Sequence, residues 1–572
     1  MSDAQVQEPN RAALGARLAI GFSQGVVLYG LWEVRESLPG PLFRALALAA
    51  LFAPVVALAA VGAMRRRTLV LWLGAATLVT LGLGAYDGYV HTGGDWRDRG
   101  PWPRPPLFVF SAAALFVAHH LILPAHAEGR WVASYRSYFD GGWKDGVRLV
   151  LSAAFVGALW ILLWLGAALF QLIGLDFLEK LLREPGFAWP ATTTFFAVAV
   201  HVTDVRAALV LGARTLALNL LAWLLPLMTL IAAGFLAALA FTGLEPLWQT
   251  RHAGGILLAA AAALIVLVNA TYQDGERPGH PPWVLKWAVR MAAGLLAPLV
   301  LVAAYGLWLR IGQHGLTPGR IYALACLTVA MVYAGGYGWA AVDRRAWMRR
   351  LERVNVVAAH VVVLVLLAVF SPLADPARLS VADQVARLRS NDVDARSFDY
   401  EFLGFQAGRW GREALKELTS DPRPAVRERA VEVQQMRNRH DPPARTPEAR
   451  RRAFEVLGRP LPDDFVSQDW GELEPSAGCP GTCPALVHDM DGDGDEDVVV
   501  FRLYNTEVYH RTAGRGWQRL GQLSGTWCPG DIEAVRAGQL QVRPPRGATV
   551  EVGGRPFVLV PNSSCPRPGG PP

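Results

Sequence analysis

The chain is poor in charged residues. Only 18% of its 572 residues are Asp, Glu, Lys or Arg, against about 25% in an average soluble protein. The formal net charge is +7, but the basic residues lie mostly in short loops between apolar runs, which favours anionic lipid headgroups over nucleic acid as their partner. No Walker, dinucleotide-binding, metalloprotease or nucleophile-elbow motif occurs. The sequence therefore argues against a nucleic-acid-binding protein and against an ATP-driven pump.

Cysteine is also scarce, and its distribution is uneven. Of five cysteines, four lie in the C-terminal region: Cys479, Cys483, Cys528 and Cys565. Four cysteines in a small domain predict two disulfides and an oxidising compartment, with three connectivities open. A zinc site is the alternative, but the later spacings of 45 and 37 residues are too wide for a compact zinc ribbon.

Long apolar runs are abundant. A membrane span needs about 20 mostly apolar residues, and eleven segments approach or exceed that length. The first lacks a signal-peptide cleavage site and is expected to be a retained span. Twenty tryptophans agree with a membrane protein, because indole rings favour the membrane interface. The predicted spans are 13–33, 40–63, 68–88, 106–124, 148–173, 188–205, 216–242, 253–273, 284–309, 318–341 and 354–371.

The predicted fold is an all-α polytopic membrane bundle of about eleven transmembrane helices. A soluble α+β extension follows and ends in a small antiparallel β domain. Within the extension, "TPEARRRAFEVLG" has an N-cap residue, a proline at the first helical position and a terminal glycine, which predict a helix over 447–458. Short runs rich in Val, Phe, Tyr and Trp after residue 479 predict strands. The predicted regions are a cytoplasmic N-terminus (1–12), a transmembrane domain (13–372), a periplasmic helical linker region (373–458) and a periplasmic β-rich domain (459–572).

Arginine distribution predicts the orientation. With the N-terminus in the cytoplasm and eleven alternating spans, the two richest short clusters, 65–67 and 344–353, both fall inside. The positive-inside rule favours this arrangement, which puts the C-terminal region in the periplasm, in agreement with its cysteines. Residues 188–205 form the weakest span, and the topology downstream inverts if they do not cross. We therefore predict a multi-pass protein of the bacterial inner membrane.

An acidic stretch, "DMDGDGDED", predicts a calcium loop. Its aspartates occupy loop positions 1, 3, 5, 7 and 9, and Gly494 at position 6 permits the sharp turn that an oxygen cage needs. Position 12 is Val500 rather than glutamate, and a strand follows, so the loop is not an EF-hand. It resembles instead the calcium loops between strands in FG-GAP repeats, which implies a structural Ca²⁺; the alternative is an acidic turn that binds nothing. The predicted ligands are Asp489, Asp491, Asp493, Asp495 and Asp497.

A few ionisable residues fall within the predicted spans. Such groups are costly in a membrane and are candidates for function. Helix–helix hydrogen bonding or interfacial snorkelling is the competing explanation, and the sequence favours it. Four of these residues are predicted near the cytoplasmic face, where they could share a polar site: His119, His120, His201 and Asp204.

Several longer stretches resemble a known bacterial family. They are "SYRSYFDGGWKDGVRLV", "FTGLEPLWQTRHA", "VNATYQDG" and "LRIGQHGLTPGRIYAL". Together they are similar to the multi-pass membrane family called domain of unknown function 4153, over residues of about 10–420. The resemblance implies an integral membrane protein of the bacterial envelope. It implies no activity and no functional residues, and the acidic, cysteine-containing region extends beyond it.

Three classes of function fit these features. The first is a transporter-like or permease-like bundle with a calcium-stabilised periplasmic accessory domain. The second is a membrane-anchored sensor or scaffold for an envelope partner, and the third is a membrane-embedded enzyme on a lipid-linked substrate. The sequence favours a protein that is not an enzyme, with the lipid bilayer and an envelope protein or small-molecule substrate as partners. A transporter should have a midplane cavity lined by polar groups, whereas an enzyme should have histidines and acids meeting at a lateral opening.

Reporter fusions test the orientation. A phosphatase fused after Ser371 should be active and a fluorescent protein fused there should be dark, because both would lie in the periplasm. The opposite result would contradict both the count of eleven spans and the disulfide prediction.

Calcium titration of the fragment 459–572 tests the acidic loop. Ca²⁺ should raise its melting temperature, with a dissociation constant of about 10⁻⁴–10⁻³ M, because the ion binds the folded state and relieves repulsion among the carboxylates. The substitutions Asp489→Ala and Asp493→Ala should abolish that response. An unchanged response in both variants would show that the ligands are assigned wrongly.

Overall fold

The chain divides into two compact units, Met1–Val426 and Arg427–Pro572. The computed structural model describes residues 3–91, 102–245, 247, 253–275, 282–342, 347–436, 447–468, 470, 475, 482–490, 492–501, 506–512, 514, 516–523, 533, 534, 537, 539, 549–552 and 555–558. Arg344 and Arg345, part of an arginine cluster used to predict orientation, lie outside these residues.

The regular secondary structure of the first unit is all helical over its described residues. Residues with high helix propensity and apolar side chains dominate these segments, and several helices begin with a proline in the first turn, where a missing N–H costs nothing. The helices are α1 (Asp3–Glu33), α2 (Gly40–Ala60), α3 (Arg66–His91), α4 (Pro105–Glu128), α5 (Tyr135–Leu172), α6 (Phe177–Arg183), α7 (Pro185–Val205), α8 (Ala207–Thr242), α9 (Ala253–Tyr272), α10 (Trp283–His314), α11 (Pro318–Val342), α12 (Arg350–Val369), α13 (Pro376–Arg389), a π-helical turn (Phe402–Gln406) and α14 (Gly408–Leu418), with α15 (Pro424–Gln435) continuing past the unit boundary.

Ten of the described helices are long and apolar enough to cross a membrane: α1 to α5 and α8 to α12. Their positions match ten of the eleven predicted spans. The eleventh, 188–205, is a continuous helix within α7 but does not belong to these ten. The predicted fold, a polytopic helical bundle followed by a small C-terminal sheet, is confirmed.

Helix α7 nevertheless packs along α1 in antiparallel orientation. Near the middle of α1, the Arg17 guanidinium lies 3.3 Å from His201 Nδ1, close to the end of α7. Near the end of α1, the Tyr29 ring packs against Gly186, at the start of α7. The twelve residues between Arg17 and Tyr29 rise by about 18 Å. The two helices thus run side by side over much of a membrane thickness.

The helical segment after the last span contacts the bundle. Asp375 caps α13 by accepting hydrogen bonds from the backbone N–H groups of Ala377 and Arg378, at 2.7 and 3.2 Å. The same carboxylate accepts a hydrogen bond from the Tyr86 hydroxyl on α3 at 2.6 Å and one from the Trp410 indole on α14 at 3.3 Å. One buried acid therefore joins α3, α13 and α14.

The second unit contains a five-stranded sheet in the order β1-β2-β3-β4-β5 and a separate two-stranded sheet, β6-β7. Strands β2 to β5 form an antiparallel meander. Phe465 packs beneath the larger sheet, with its ring centroid 5.0 Å from that of Trp470 and 5.3 Å from that of Trp517. The strands are β1 (Phe454–Leu457), β2 (Cys483–His488), β3 (Asp497–Phe501), β4 (Thr506–Thr512), β5 (Gly516–Leu523), β6 (Thr549–Val552) and β7 (Arg555–Val558); the short helices α16 (Pro447–Arg452) and α17 (Asp463–Ser467) flank β1.

Strand β1 departs from the sequence prediction. The helix predicted over 447–458 ends at Arg452, and Phe454–Leu457 forms a strand instead. It pairs in parallel with β2, with Phe454 opposite Cys483, so the sheet is mixed rather than purely antiparallel. A parallel pair needs a long crossover connection, and the residues between β1 and β2, which include α17, provide it. Pairing with a distant strand has here overridden local helix propensity.

Glycines on α1 allow the close approach of α7. A Cβ atom added at Gly25 would lie 2.6 Å from both the Pro190 nitrogen and Thr193 Oγ1, whereas one at Gly30 would meet no atom within 4 Å. We therefore expect Gly25→Leu to lower the free energy of unfolding by about 1–3 kcal/mol through overpacking. Gly30→Leu, on the same helix, should change it little. Thermal melting of the full chain in detergent measures both, and equal melting temperatures would contradict the packing of α1 on α7.

Candidate functional site

Four helices meet at a set of buried and half-buried charges, at the level of Arg17 near the middle of α1. The Asp204 carboxylate at the end of α7 accepts hydrogen bonds from Arg17 on α1 at 2.8 Å and from Arg148 on α5 at 2.5 Å. Arg148 also forms an ion pair with Asp145 at 3.0 Å. Asp145 in turn lies 3.1 Å from Nε2 of His120 on α4. One continuous path of charged contacts therefore joins α1, α7, α5 and α4.

The structure brings the four predicted intramembrane residues together along this path. His201 lies beside Arg17, and His120 and Asp204 are members of the path itself. The His119 ring stands edge-on to the His120 ring, with centroids 5.4 Å apart. Its Nδ1 accepts a hydrogen bond from the Trp72 indole at 3.1 Å, and its Nε2 is buried with no hydrogen-bond partner among the described residues. That these residues form a functional site stays a prediction.

Three members of the path were not predicted from the sequence: Arg17, Asp145 and Arg148. A signal for two of them is present, because Asp145 and Arg148 are three residues apart and so lie on one face of a helix. Their link to α4 and α7 has no such signal, since it depends on which helices are neighbours. Arg17 and Arg148 are only 5% and 9% exposed. Charges buried to this degree require partners, because an uncompensated charge in a low-dielectric interior is strongly destabilising.

His120 is held at both ring nitrogens. Nδ1 lies 2.7 Å from the backbone carbonyl oxygen of Phe116, one turn earlier on α4, and Nε2 faces Asp145. Both partners are acceptors. These two contacts fix the orientation of the ring at the cavity wall.

An open cavity of about 480 Å³ lies beside His120, among α4, α5, α9, α11 and α12. Most of its wall consists of aliphatic and aromatic side chains such as Phe139 and Ile265. Small residues, among them Gly142 and Gly146 on α5, leave room along one wall. The side chains with polar groups that line it are His120, Tyr135, Tyr138, Trp143, Asn269, Tyr333 and Asn355.

Two asparagines and two tyrosines form a closed hydrogen-bond network at this cavity. Asn355 donates to the Asn269 side-chain oxygen at 2.6 Å and to the Tyr135 hydroxyl at 3.2 Å. Asn269 donates to the Tyr337 hydroxyl at 2.7 Å, which donates to the Asn355 side-chain oxygen at 2.8 Å. The network ties together α5, α9, α11 and α12 and satisfies polar groups that the membrane interior could not.

A second buried cluster surrounds Asp87 near the C-terminal end of α3. Its carboxylate accepts hydrogen bonds from Arg44 at 2.7 Å and from Arg104 at 2.8 Å, and the His91 ring lies 3.5 Å away. The neighbouring cavity, next to Tyr86, is about 60 Å³, room for about two water molecules. This cluster therefore has the properties of a structural tie between helices rather than of a substrate site.

The acidic loop connects β2 to β3 and is described except for Asp491, which lies outside the described residues. Asp489 accepts hydrogen bonds from the backbone N–H groups of Gly492 and Gly494, at 2.7 and 3.1 Å. Both glycines have positive φ, +80° and +91°, a conformation that glycine adopts without strain. A carboxylate has about four acceptor sites, so these bonds leave capacity for a cation and the donor set suits Ca²⁺.

Asp493 and Asp497, two further predicted ligands, differ in their hydrogen-bond partners and in their burial. Asp493 accepts a hydrogen bond from the Asp495 N–H at 2.8 Å. Asp497 is buried in β3 and accepts one from the Met490 N–H at 2.9 Å. Among the described residues, no group of three or more His, Cys, Asp or Glu is arranged to hold a metal ion. With Asp491 outside the described residues, calcium binding stays a prediction.

Of the four cysteines predicted to form disulfides, only Cys483 falls among the described residues. It is fully buried at the start of β2, where its backbone N–H donates to the Ala453 carbonyl oxygen at 2.8 Å. Cys479, Cys528 and Cys565 lie outside the described residues. The two disulfides and their connectivity stay predictions.

The bundle and its buried polar contacts define a multi-pass integral membrane protein. The family described as Domain of unknown function (DUF4153) matches residues 24–418. The chain belongs to this family, as the sequence resemblance predicted. The match ends with α14, so the second unit with its acidic loop lies beyond it. No curated protein and no solved structure matches the chain.

Proposed function

We propose that this protein binds a lipid or a lipid-linked amphiphile in the cavity among α4, α5, α9, α11 and α12. The observation that carries the proposal is the uneven lining of that cavity. Most of its wall is apolar, and four of its polar side chains, Tyr135, Tyr138, Asn269 and Asn355, lie near helix ends. An amphiphile has the complementary distribution, with a polar headgroup at one end of a hydrocarbon chain.

The position of each lining residue along its helix supports this orientation. Tyr135 and Tyr138 lie in the first turn of α5, Asn269 in the last turn of α9, and Asn355 in the second turn of α12. Ile265 and Ala359 lie about one turn farther into α9 and α12. The headgroup would therefore meet hydroxyl and amide groups near the helix ends, and the hydrocarbon chain would follow the apolar walls inward.

The cavity also has the size and chemistry of a ligand site. Its volume of about 480 Å³ falls within the range of about 300–1,000 Å³ usual for such sites. The wall offers tyrosine hydroxyls and asparagine amides. Hydroxyls and amides both donate and accept hydrogen bonds, so a headgroup that carries hydroxyls, amides or phosphate would suit them.

Acid–base chemistry on the bound amphiphile is a second candidate function. It is favoured by the His120–Asp145 pair, because His120 lines the cavity and Asp145 lies 3.1 Å from its Nε2 atom. A substrate would first have to displace the Asp145 or the Phe116 contact, because both ring nitrogens of His120 are engaged.

We further propose the orientation with the start of α1 in the cytoplasm and the second unit in the periplasm, where Ca²⁺ would stabilise its acidic loop. Two groups of side-chain contacts support alternating spans. One group includes Arg17, Asp204 and His120. The other includes Arg44 and Asp87. Alternation from a cytoplasmic start puts the first set at the cytoplasmic side and the second at the periplasmic side.

A cavity-filling substitution tests the amphiphile proposal. Gly142 lines the cavity, and a Cβ atom added there would meet no atom within 4 Å. Gly142→Leu should therefore fill the cavity without distorting α5 and reduce co-purified lipid at least tenfold. The measurement is native mass spectrometry of the full chain in mild detergent, with lipid extraction to identify the bound species.

The matched control is Gly157→Leu on the same helix. A Cβ atom at Gly157 also meets no atom within 4 Å, and this residue does not line the cavity. Its lipid content and melting temperature should equal those of the unsubstituted protein. Equal lipid content in the Gly142→Leu and Gly157→Leu proteins would overturn the proposal and favour a scaffold role.

A further inference from the structure

A larger cavity, of about 580 Å³, lies at the opposite end of the bundle. It is bounded by the first turns of α9, the last turns of α10 and the first turns of α11, whereas the amphiphile cavity lies near the end of α9. The described residues that carry charge or can acquire it in its wall are Arg310, His314 and Arg320. The other described residues of the wall are small or apolar, with no carboxylate among them.

Positive charge accumulates beside this cavity. Arg320 donates to the backbone carbonyl oxygens of His314 and Gly315, at 3.2 and 2.6 Å. Arg387 on α13 donates to those of Gly312 and Gln313, at 3.3 and 3.0 Å. A carbonyl has no formal charge, so these hydrogen bonds orient the two guanidinium groups without neutralising them.

Two of the three charged neighbours named for Arg320 are positive. These are Arg310 and Arg387, and the negative neighbour is Asp383. Asp383 already accepts a hydrogen bond from the Leu316 N–H at 2.6 Å. The carboxyl end of α10 offsets part of the excess through its dipole, equivalent to about half a negative charge. Of the four side chains just named, three are guanidinium groups and one is a carboxylate, and Arg310 and Arg320 line the open cavity.

We propose that this cavity binds a phosphate-bearing anion, either the headgroup of an anionic phospholipid or a free phosphate group. Guanidinium groups suit such a ligand, because their N–H donors match two phosphate oxygens at once. The volume exceeds that of a phosphate alone and accommodates a headgroup with its glycerol. Capping of α10 accounts for the carbonyl bonds of Arg320 and Arg387, but not for the large cavity that Arg320 lines together with Arg310.

Gly319 in the wall leaves space in the cavity, and a larger side chain at this position would fill that space. A Cβ atom at Gly319, next to Arg320, would meet no atom within 4 Å. Gly319→Leu therefore fills the cavity while all three arginines stay in place. Gly335 on the same helix has equally open surroundings and does not line the cavity. Gly335→Leu is thus a matched control for effects of leucine on α11.

The experiment measures binding to the full chain in a neutral detergent by isothermal titration calorimetry. The probes are inorganic phosphate, dioctanoyl phosphatidylglycerol and, as a zwitterionic comparison, dioctanoyl phosphatidylcholine. We expect phosphatidylglycerol to bind at least tenfold more tightly than phosphatidylcholine. Gly319→Leu, Arg310→Gln and Arg320→Gln should each weaken that binding at least tenfold, and Gly335→Leu should leave it unchanged.

The outcomes separate the two sources of phosphate. Binding of phosphatidylglycerol without inorganic phosphate supports a lipid headgroup, and binding of both supports a site for free phosphate. Failure of the unsubstituted protein to bind either anion would overturn the proposal. Unchanged affinity in Gly319→Leu would also overturn it, and this variant keeps the test valid if an arginine substitution prevents folding. The amphiphile proposal is independent, because Gly142 lies at the other cavity.

Discussion

The cost of an uncompensated charge in a membrane is the constraint on which this bundle depends. Two carboxylates are compensated in the same way, each by two arginine side chains. Asp204 lies between Arg17 and Arg148, and Asp87 lies between Arg44 and Arg104. Each acid joins guanidinium groups from two other helices, and the two acids lie at opposite ends of the bundle. Removing either carboxylate would leave two buried or half-buried cations facing each other, so these contacts set the register of α1 to α5 and α7.

That register also positions the candidate site. Arg148, held by Asp204, pairs with Asp145, and Asp145 orients the His120 ring at the cavity wall. The asparagine–tyrosine network fastens the other side of the same cavity. A ligand site works best when the groups that line it are themselves held by further contacts. The cavity beside His120 has such support from charges on one side and from neutral hydrogen bonds on the other.

The acidic loop shows how a local motif depends on its surroundings. Its ends are set by the pairing of His488 with Asp497 in the β2–β3 hairpin. The sequence pattern predicts the turn, because alternating aspartates and glycines favour it whatever the rest of the chain does. The helix predicted across Phe454–Leu457 was wrong, since that segment gains more by pairing with β2, from which 25 residues separate it in the chain.

Local properties of the chain sufficed to predict the ten membrane-crossing helices, the helical bundle with its small sheet, and the family. Hydropathy and helix propensity act over about 20 residues, so they can be read along the sequence. Sequence also singled out His119, His120, His201 and Asp204, because charged side chains are conspicuous in apolar runs. Only the tertiary structure decided that Arg17 and Arg148 hold Asp204 and that Asp145 meets His120. These partners are 25 to 187 residues apart, and their pairing follows from which helices pack together, which no local pattern encodes.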